Sequence, residues 1–150
     1  MRMRKVLKGR SDLSKSALIK LVEGSTQEDV SLDTVKSIFQ AYLEKMDRTG
    51  KQLGWDYRGA AFPYSIEEKE ENGSRYLVLR GKEPSQYYYL LVGVGKEKET
   101  GNTYIQVVVP DRATAGDRNK ANEYSRFIAK SLQAELHMTN GRVLYYYPRK

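Results

Sequence analysis

A chain of 150 residues is long enough to close a single hydrophobic core without metal or disulfide staples. It has no cysteine, which excludes disulfides, thiolate metal sites and cysteine nucleophiles, and no stretch approaches the roughly 18 uninterrupted apolar residues of a membrane span. The net charge of +7 resides in the ends, because five basic residues and no acid fall in residues 1–10, Arg149 and Lys150 close the chain, and residues 11–148 are formally neutral. These features lead us to expect a soluble, cytoplasmic protein with one α+β domain over residues 15–150 and a basic, mobile arm over 1–14.

Ser16 to Val22 is short, apolar and rich in branched side chains, which reads as a first strand ended at Glu23-Gly24-Ser25. A helix follows. Ser31 is a good N-cap, Asp33 sits in the first turn where the helix dipole favours an acid, and Gly50 lies where a left-handed stop is wanted. Between them Val35, Ile38, Phe39, Tyr42, Leu43 and Met46 recur at spacings of three and four and form one apolar stripe. Residues 51–63 hold two glycines and a proline and read as an irregular connection, but Trp55, Tyr57 and Phe62 are costly to leave in water, so it must pack on something.

Tyr64 to Glu70 reads as an edge strand because charges crowd its end. Asn72-Gly73 is the strongest hairpin signal and leads into Arg75 to Arg80. Two runs then follow, Tyr87 to Val94 and Thr103 to Val109, apolar on consecutive as well as alternate positions, as expected of strands covered on both faces. Residues 64–109 therefore form a four-stranded antiparallel meander. Pro110 ends it, and a second helix begins near Asp117 with Ala121, Tyr124, Phe127, Ile128, Ser131, Leu132 and Glu135 on its inner side. Glu135 to Thr139 and Arg142 to Tyr147, joined by Asn140-Gly141, form a terminal hairpin. The order β-α-β-β-β-β-α-β-β leads to a single antiparallel sheet with both helices on one face.

No catalytic signature emerges. Val92 to Lys96 has glycines and a lysine but runs into a strand, and Asp117 would repel an anion at the second helix. His137, the only histidine, shares a side with Glu135 if the segment is extended, yet a single histidine is commonly structural. Twelve tyrosines are more suggestive, with Tyr87, Tyr89, Tyr145 and Tyr147 as the outer members of two triplets. Tyrosine buries a ring and keeps a hydroxyl, which suits interfaces and ordinary cross-strand packing alike.

Trp55-Asp56-Tyr57, Ala60 to Tyr64, Gly116-Asp117, Lys120 to Glu123 and Leu136-His137 ahead of Asn140-Gly141-Arg142 carry a resemblance over residues 15–150. On these the chain resembles a domain-of-unknown-function family of short proteins from spore-forming Gram-positive bacteria, a resemblance that implies no activity, cofactor or catalytic residue. The leading expectation is a non-enzymatic binding module that uses a tyrosine-rich sheet face toward a protein partner or a second copy. The alternative is a small-ligand protein or enzyme with a pocket lined by Trp55, Asp56, Tyr57, Asn122, Glu123, His137 and Arg142. A third reading limits nucleic-acid contact to the basic tails. No cofactor, metal or membrane contact is implied.

Overall fold

Among the described residues seven antiparallel strands, numbered here in chain order with the ranges given below, form one sheet in the order β2-β3-β4-β5-β1-β6-β7, with the helices packed on one face. The computed structural model describes residues 15–148, so the expected basic arm and the last two residues lie outside it. Its elements are β1 Lys15–Lys20, α1 Leu32–Leu53, α2 Tyr57–Ala61, β2 Tyr64–Glu71, β3 Ser74–Gly81, β4 Tyr89–Lys96, β5 Thr103–Val109, α3 Ala115–Leu132, β6 Glu135–His137 and β7 Val143–Tyr145.

The α+β class, the meander β2 to β5 and the terminal hairpin are as the sequence implies. Asn72 and Gly73 take φ of 51° and 81°, the left-handed pair that a two-residue hairpin turn requires, and set Glu71 opposite Ser74. The apolar run of β5 is buried along its whole length at the centre of the sheet. β1 supplies what local pattern could not reveal: it is inserted between β5 and β6, with Ser16 opposite Val108 and Leu18 opposite His137.

The helical stripe of α1 is buried through Val35, Phe39, Tyr42 and Leu43, with Ile38 and Met46 at its margin. Ser31 caps it, accepting from the Thr34 amide. The helix does not stop at Gly50, as expected from the sequence, but continues to Leu53 and ends at Gly54, whose φ of 76° is the left-handed stop. Gly50 serves another purpose. A Cβ there would lie 2.8 Å from the carbonyl oxygen of Trp55, so the missing side chain lets the chain double back on the helix.

Part of the connection expected to be irregular is the short helix α2, whose N-cap Asp56 accepts from the Gly59 amide at 3.1 Å. At α3 the cap is Thr114, and Asp117 completes a capping box. The inner side of α3 is Ala121, Tyr124, Ser125, Ile128, Ala129 and Leu132; Ser131 is exposed, and Glu135 has already entered β6 because Gln133 turns left-handed at φ 51°.

Alternation gives the sheet two unlike faces. Ala17, Ile19, Leu77, Leu79, Leu90, Val92, Ile105, Val107 and Leu136 meet the helices in the main core. The other face carries a second apolar cluster, Tyr76, Val78, Leu91 and Val108 with Tyr89 against it, drawn entirely from the strands themselves.

Candidate functional site

The doubling back at Gly50 builds an exposed apolar corner. Amides of Gly54 and Trp55 both donate to the Gly50 carbonyl, at 2.7 and 3.1 Å, and the Tyr57 amide donates to Trp55. Arg58 pins α2 to α1 through Asp47 at 2.9 Å. The turn projects Leu53 and Trp55 outward, 57% and 51% exposed, the two most exposed large hydrophobic side chains among the described residues. The Trp55 ring meets Tyr57 edge-on at 5.1 Å.

Two open hollows adjoin this corner and share Met46 and Tyr57. One, about 480 Å³, lies against Trp55, Asp47 and Lys51. The other, about 420 Å³, runs between α1 and α3 and is lined by Tyr42, Ala61, Lys120, Glu123 and Phe127. In it the Tyr42 hydroxyl donates to Glu123 Oε2 at 2.5 Å, and Lys120 stands 3.6 Å from the other carboxylate oxygen. Burial first, and the bond to Glu123 second, hold the Tyr42 phenol above the ordinary tyrosine range. A half-exposed carboxylate anchored on one side by a hydroxyl can accept a cationic group from outside. Beneath the groove Tyr42 and Phe39 each meet both Phe62 and Tyr124, edge-on or tilted, with centroids no more than 6.4 Å apart, so its floor is closely packed.

Asp117 presents a different kind of site. It is fully buried and accepts from the Tyr64 hydroxyl at 2.6 Å, the Tyr88 amide at 2.9 Å and the Thr114 amide at 3.0 Å. The carboxylate thereby ties β2, the approach to β4 and the start of α3 together. Burial, then the bond to Asp117, raises the Tyr64 phenol in the same way as Tyr42. These partners all belong to the fold itself, and Asp117 lines neither of the two hollows, so its work is architectural.

A family model for a domain of unknown function, DUF1885, matches residues 15–148. The chain belongs to that family. The DUF1885 chain is also similar to a solved structure described as a protein of unknown function from Bacillus stearothermophilus, with 35% sequence identity, coverage of 80% of this chain and 90% of that one, and a TM-score of 0.56. No curated protein matches it.

In this DUF1885 fold Trp55, Asp56 and Tyr57 come together at the α2 corner, and Glu123 faces Tyr57 across the same groove. Asn122 is half-buried on α3 and lines none of these hollows. His137 and Arg142 are elsewhere. His137 lies on the helix-free face beside Glu135, at 2.6 Å, so the sheet separates it from Glu123 and Asp56 and the expected joint pocket is not assembled. Arg142 is exposed at the β6–β7 turn.

The two tyrosine triplets are likewise apart, since β5, β1 and β6 stand between β4 and β7. Tyr87 packs on the main core against Tyr64 at 5.7 Å, Tyr89 leans on the helix-free cluster, and Tyr145 meets Tyr147 at 5.9 Å beyond the far edge. Tyr87, Tyr89, Tyr145 and Tyr147 therefore do not make one surface. Tyr42 and Lys120 belong to the groove but were not singled out by sequence; the three-residue spacing of Lys120 and Glu123, opposite an aromatic stripe, was the available signal. Among the described residues no group of three or more His, Asp or Glu side chains could hold a metal ion, and no helix is long and apolar enough to cross a membrane.

Proposed function

We propose that this DUF1885 protein is a non-enzymatic, cytoplasmic protein-interaction module of a spore-forming Gram-positive bacterium, and that its contact surface is the α2 corner with the Tyr42–Glu123 groove. The Bacillus relative supports the origin. The observation that carries the reading is the paired exposure of Leu53 and Trp55 beside a groove bearing the half-exposed Glu123 carboxylate, which Tyr42 and Lys120 already hold in place. Burying two such side chains yields about 1.5–3 kcal/mol each, and tryptophan flanked by tyrosine is the composition of interface hot spots. The partner suited to it presents an apolar side chain to Trp55 and a basic one to Glu123.

The tyrosine-face version has less support, because its four rings are divided among three places. Trp55 is the only tryptophan, so its emission reports on this corner alone. In affinity capture from cytosol of the source organism, followed by titration of the captured partner, binding is expected to shift Trp55 emission to the blue. It is expected to be lost in Leu53→Ser/Trp55→Ser, weakened in Glu123→Gln, and retained in Tyr145→Ser/Tyr147→Ser. Loss in the tyrosine variant with retention in the corner variant would move the surface to the hairpin and overturn this assignment.

A further inference from the structure

The two edges of the sheet are unlike, and β2 is the longer, with eight residues against three in β7. Backbone groups along such a strand alternate in direction. The Lys82 amide donates to Pro63, and the Asn72-Gly73 turn sets Glu71 opposite Ser74, so Ser65, Glu67, Lys69 and Glu71 are the residues that bond to β3. The N–H and C=O groups of Ile66, Glu68 and Glu70 therefore point out of the sheet, and among the described residues no backbone or side-chain group answers them. Beside this row lies a third hollow, of about 410 Å³, floored by Leu43, Phe62 and Ile66. Lys36 reaches Glu68 at 3.1 Å, which sets α1 alongside the same edge.

We propose that the outer edge of β2 and this hollow are one docking site for an extended segment of another protein, which adds to β2 as an antiparallel strand. An added strand supplies the missing donors and acceptors, and its alternate side chains reach the helix-bearing side, where the hollow takes an apolar one. Charge sets the rest of the partner's chemistry. In the lining Arg58 is paired with Asp47 and Asp56 is committed to the Gly59 amide, but Lys82 makes no ion pair among the described residues. At the far end of β2 Glu70 makes none either, whereas Glu67 and Glu68 are held by Arg80 and Arg75. The segment therefore carries an acidic residue soon after its apolar one, at Lys82, and a basic residue earlier, at Glu70. A second copy is the poorer occupant, because a symmetric pairing of two β2 strands centred on Glu67 or Glu68 sets that glutamate opposite itself. The site uses neither Leu53, Trp55 nor Glu123, so it stands apart from the α2 corner.

A random peptide library displayed on phage and panned against the full chain is the probe. Enriched peptides are expected to share an apolar residue followed by an acidic one, to shift the Ile66 and Glu68 amide resonances, and to slow hydrogen exchange at both. Glu68→Ala and Glu68→Pro lose the same ion pairs, but only proline also removes the outward N–H, which β3 does not use. Binding is expected to survive in the alanine variant and to weaken about tenfold in the proline variant, with urea midpoints confirming that both are folded. Lys82→Glu, at an exposed position, is expected to weaken it about fivefold, and Leu53→Ser/Trp55→Ser to leave it unchanged. No enriched peptide, or peptides that shift Trp55 or β7 and not β2, would overturn the proposal; those at Trp55 would instead favour the α2 corner. Protection of Ile66 and Glu68 that grows with protein concentration and needs no peptide would assign the edge to a second copy, and would overturn it equally.

Discussion

Removing the Asp117 side chain is the sharpest test of how the fold is held. Asp117→Ala leaves the Tyr64 hydroxyl, itself only 2% exposed, and the Tyr88 amide without their acceptor, and abolishes half of the capping box. An orphaned buried donor costs about 1–3 kcal/mol and a lost cap about 0.5–2. Relief from burying a carboxylate offsets part of this. The expected loss is therefore about 3–4 kcal/mol, a large part of the roughly 5–15 that holds a domain together. Asp117→Asn should be milder, about 1–2 kcal/mol, because its amide oxygen can still serve the two backbone donors while the Tyr64 hydroxyl turns to accept from the amide nitrogen. Urea unfolding followed by far-ultraviolet circular dichroism measures both, provided the slope m is unchanged. A cycle with Tyr64→Phe should return a coupling of about 1.5–3 kcal/mol, the range for a hydrogen bond to a charged group. A cost below about 1 kcal/mol for Asp117→Ala, or no coupling to Tyr64, would refute the reading of this carboxylate as the tie between β2, β4 and α3.

Two further outcomes follow from buried groups elsewhere. Tyr42, Tyr64 and Tyr124 are all raised above the ordinary tyrosine value, with burial the first cause in each. Their folded pKa exceeds the unfolded one, so their contribution is fully present below about pH 10 and is lost as pH rises beyond it, by up to ~4 kcal/mol per pH unit for three protons. Chemical denaturation at a series of alkaline pH values, alongside tyrosinate absorbance, checks this; stability that stays flat while all twelve tyrosines ionise would contradict it. Gly81→Ala places a Cβ onto the carbonyl oxygen of Tyr87, where the chain turns back so that the Gly81 amide can donate to Tyr88 at 2.8 Å. Because backbone must move, a loss of about 1–3 kcal/mol in unfolding free energy is expected, read as a lower urea midpoint at constant m, and an unchanged midpoint would show that this crossing is loose.

Legibility followed the range of the interactions concerned. The α1 stripe, the Asn72-Gly73 turn and the doubly apolar β5 run are written in neighbouring residues, and each is where the pattern puts it; the β4 run is placed two residues early, since the strand opens at Tyr89 and not at Tyr87, where the chain is still held by Asp117 and Thr114 at the start of α3. Gly50 and Gly54 both suit a helix stop, and the choice between them rests on Trp55 folding back on the helix, which no local pattern records. Period two told that Glu135 and His137 share a side but not which side, and the helix-bearing face holds Glu123 while the other holds His137. Repetition of a tyrosine triplet carried no information about strand order, so β4 and β7 could be neighbours on paper and stand three strands apart in space. Tyr42 read as core, and it is core; only its hydroxyl, turned toward Glu123, joins the groove.

The position of β1 has a consequence in time. Lys15–Lys20 leaves the ribosome before the rest of the described chain, yet its partners are Thr103–Val109 and Glu135–His137. The meander from Tyr64 to Val109 can close by successive hairpins as it is made, whereas the first strand must wait for β5 on one side and for β6 on the other. Contacts so distant in sequence form late and slowly. Until β6 arrives, the partly built sheet ends in an unpaired strand at what becomes its interior, which makes the synthesis of residues 110–137 the interval in which this sheet is most exposed to pairing with a neighbour.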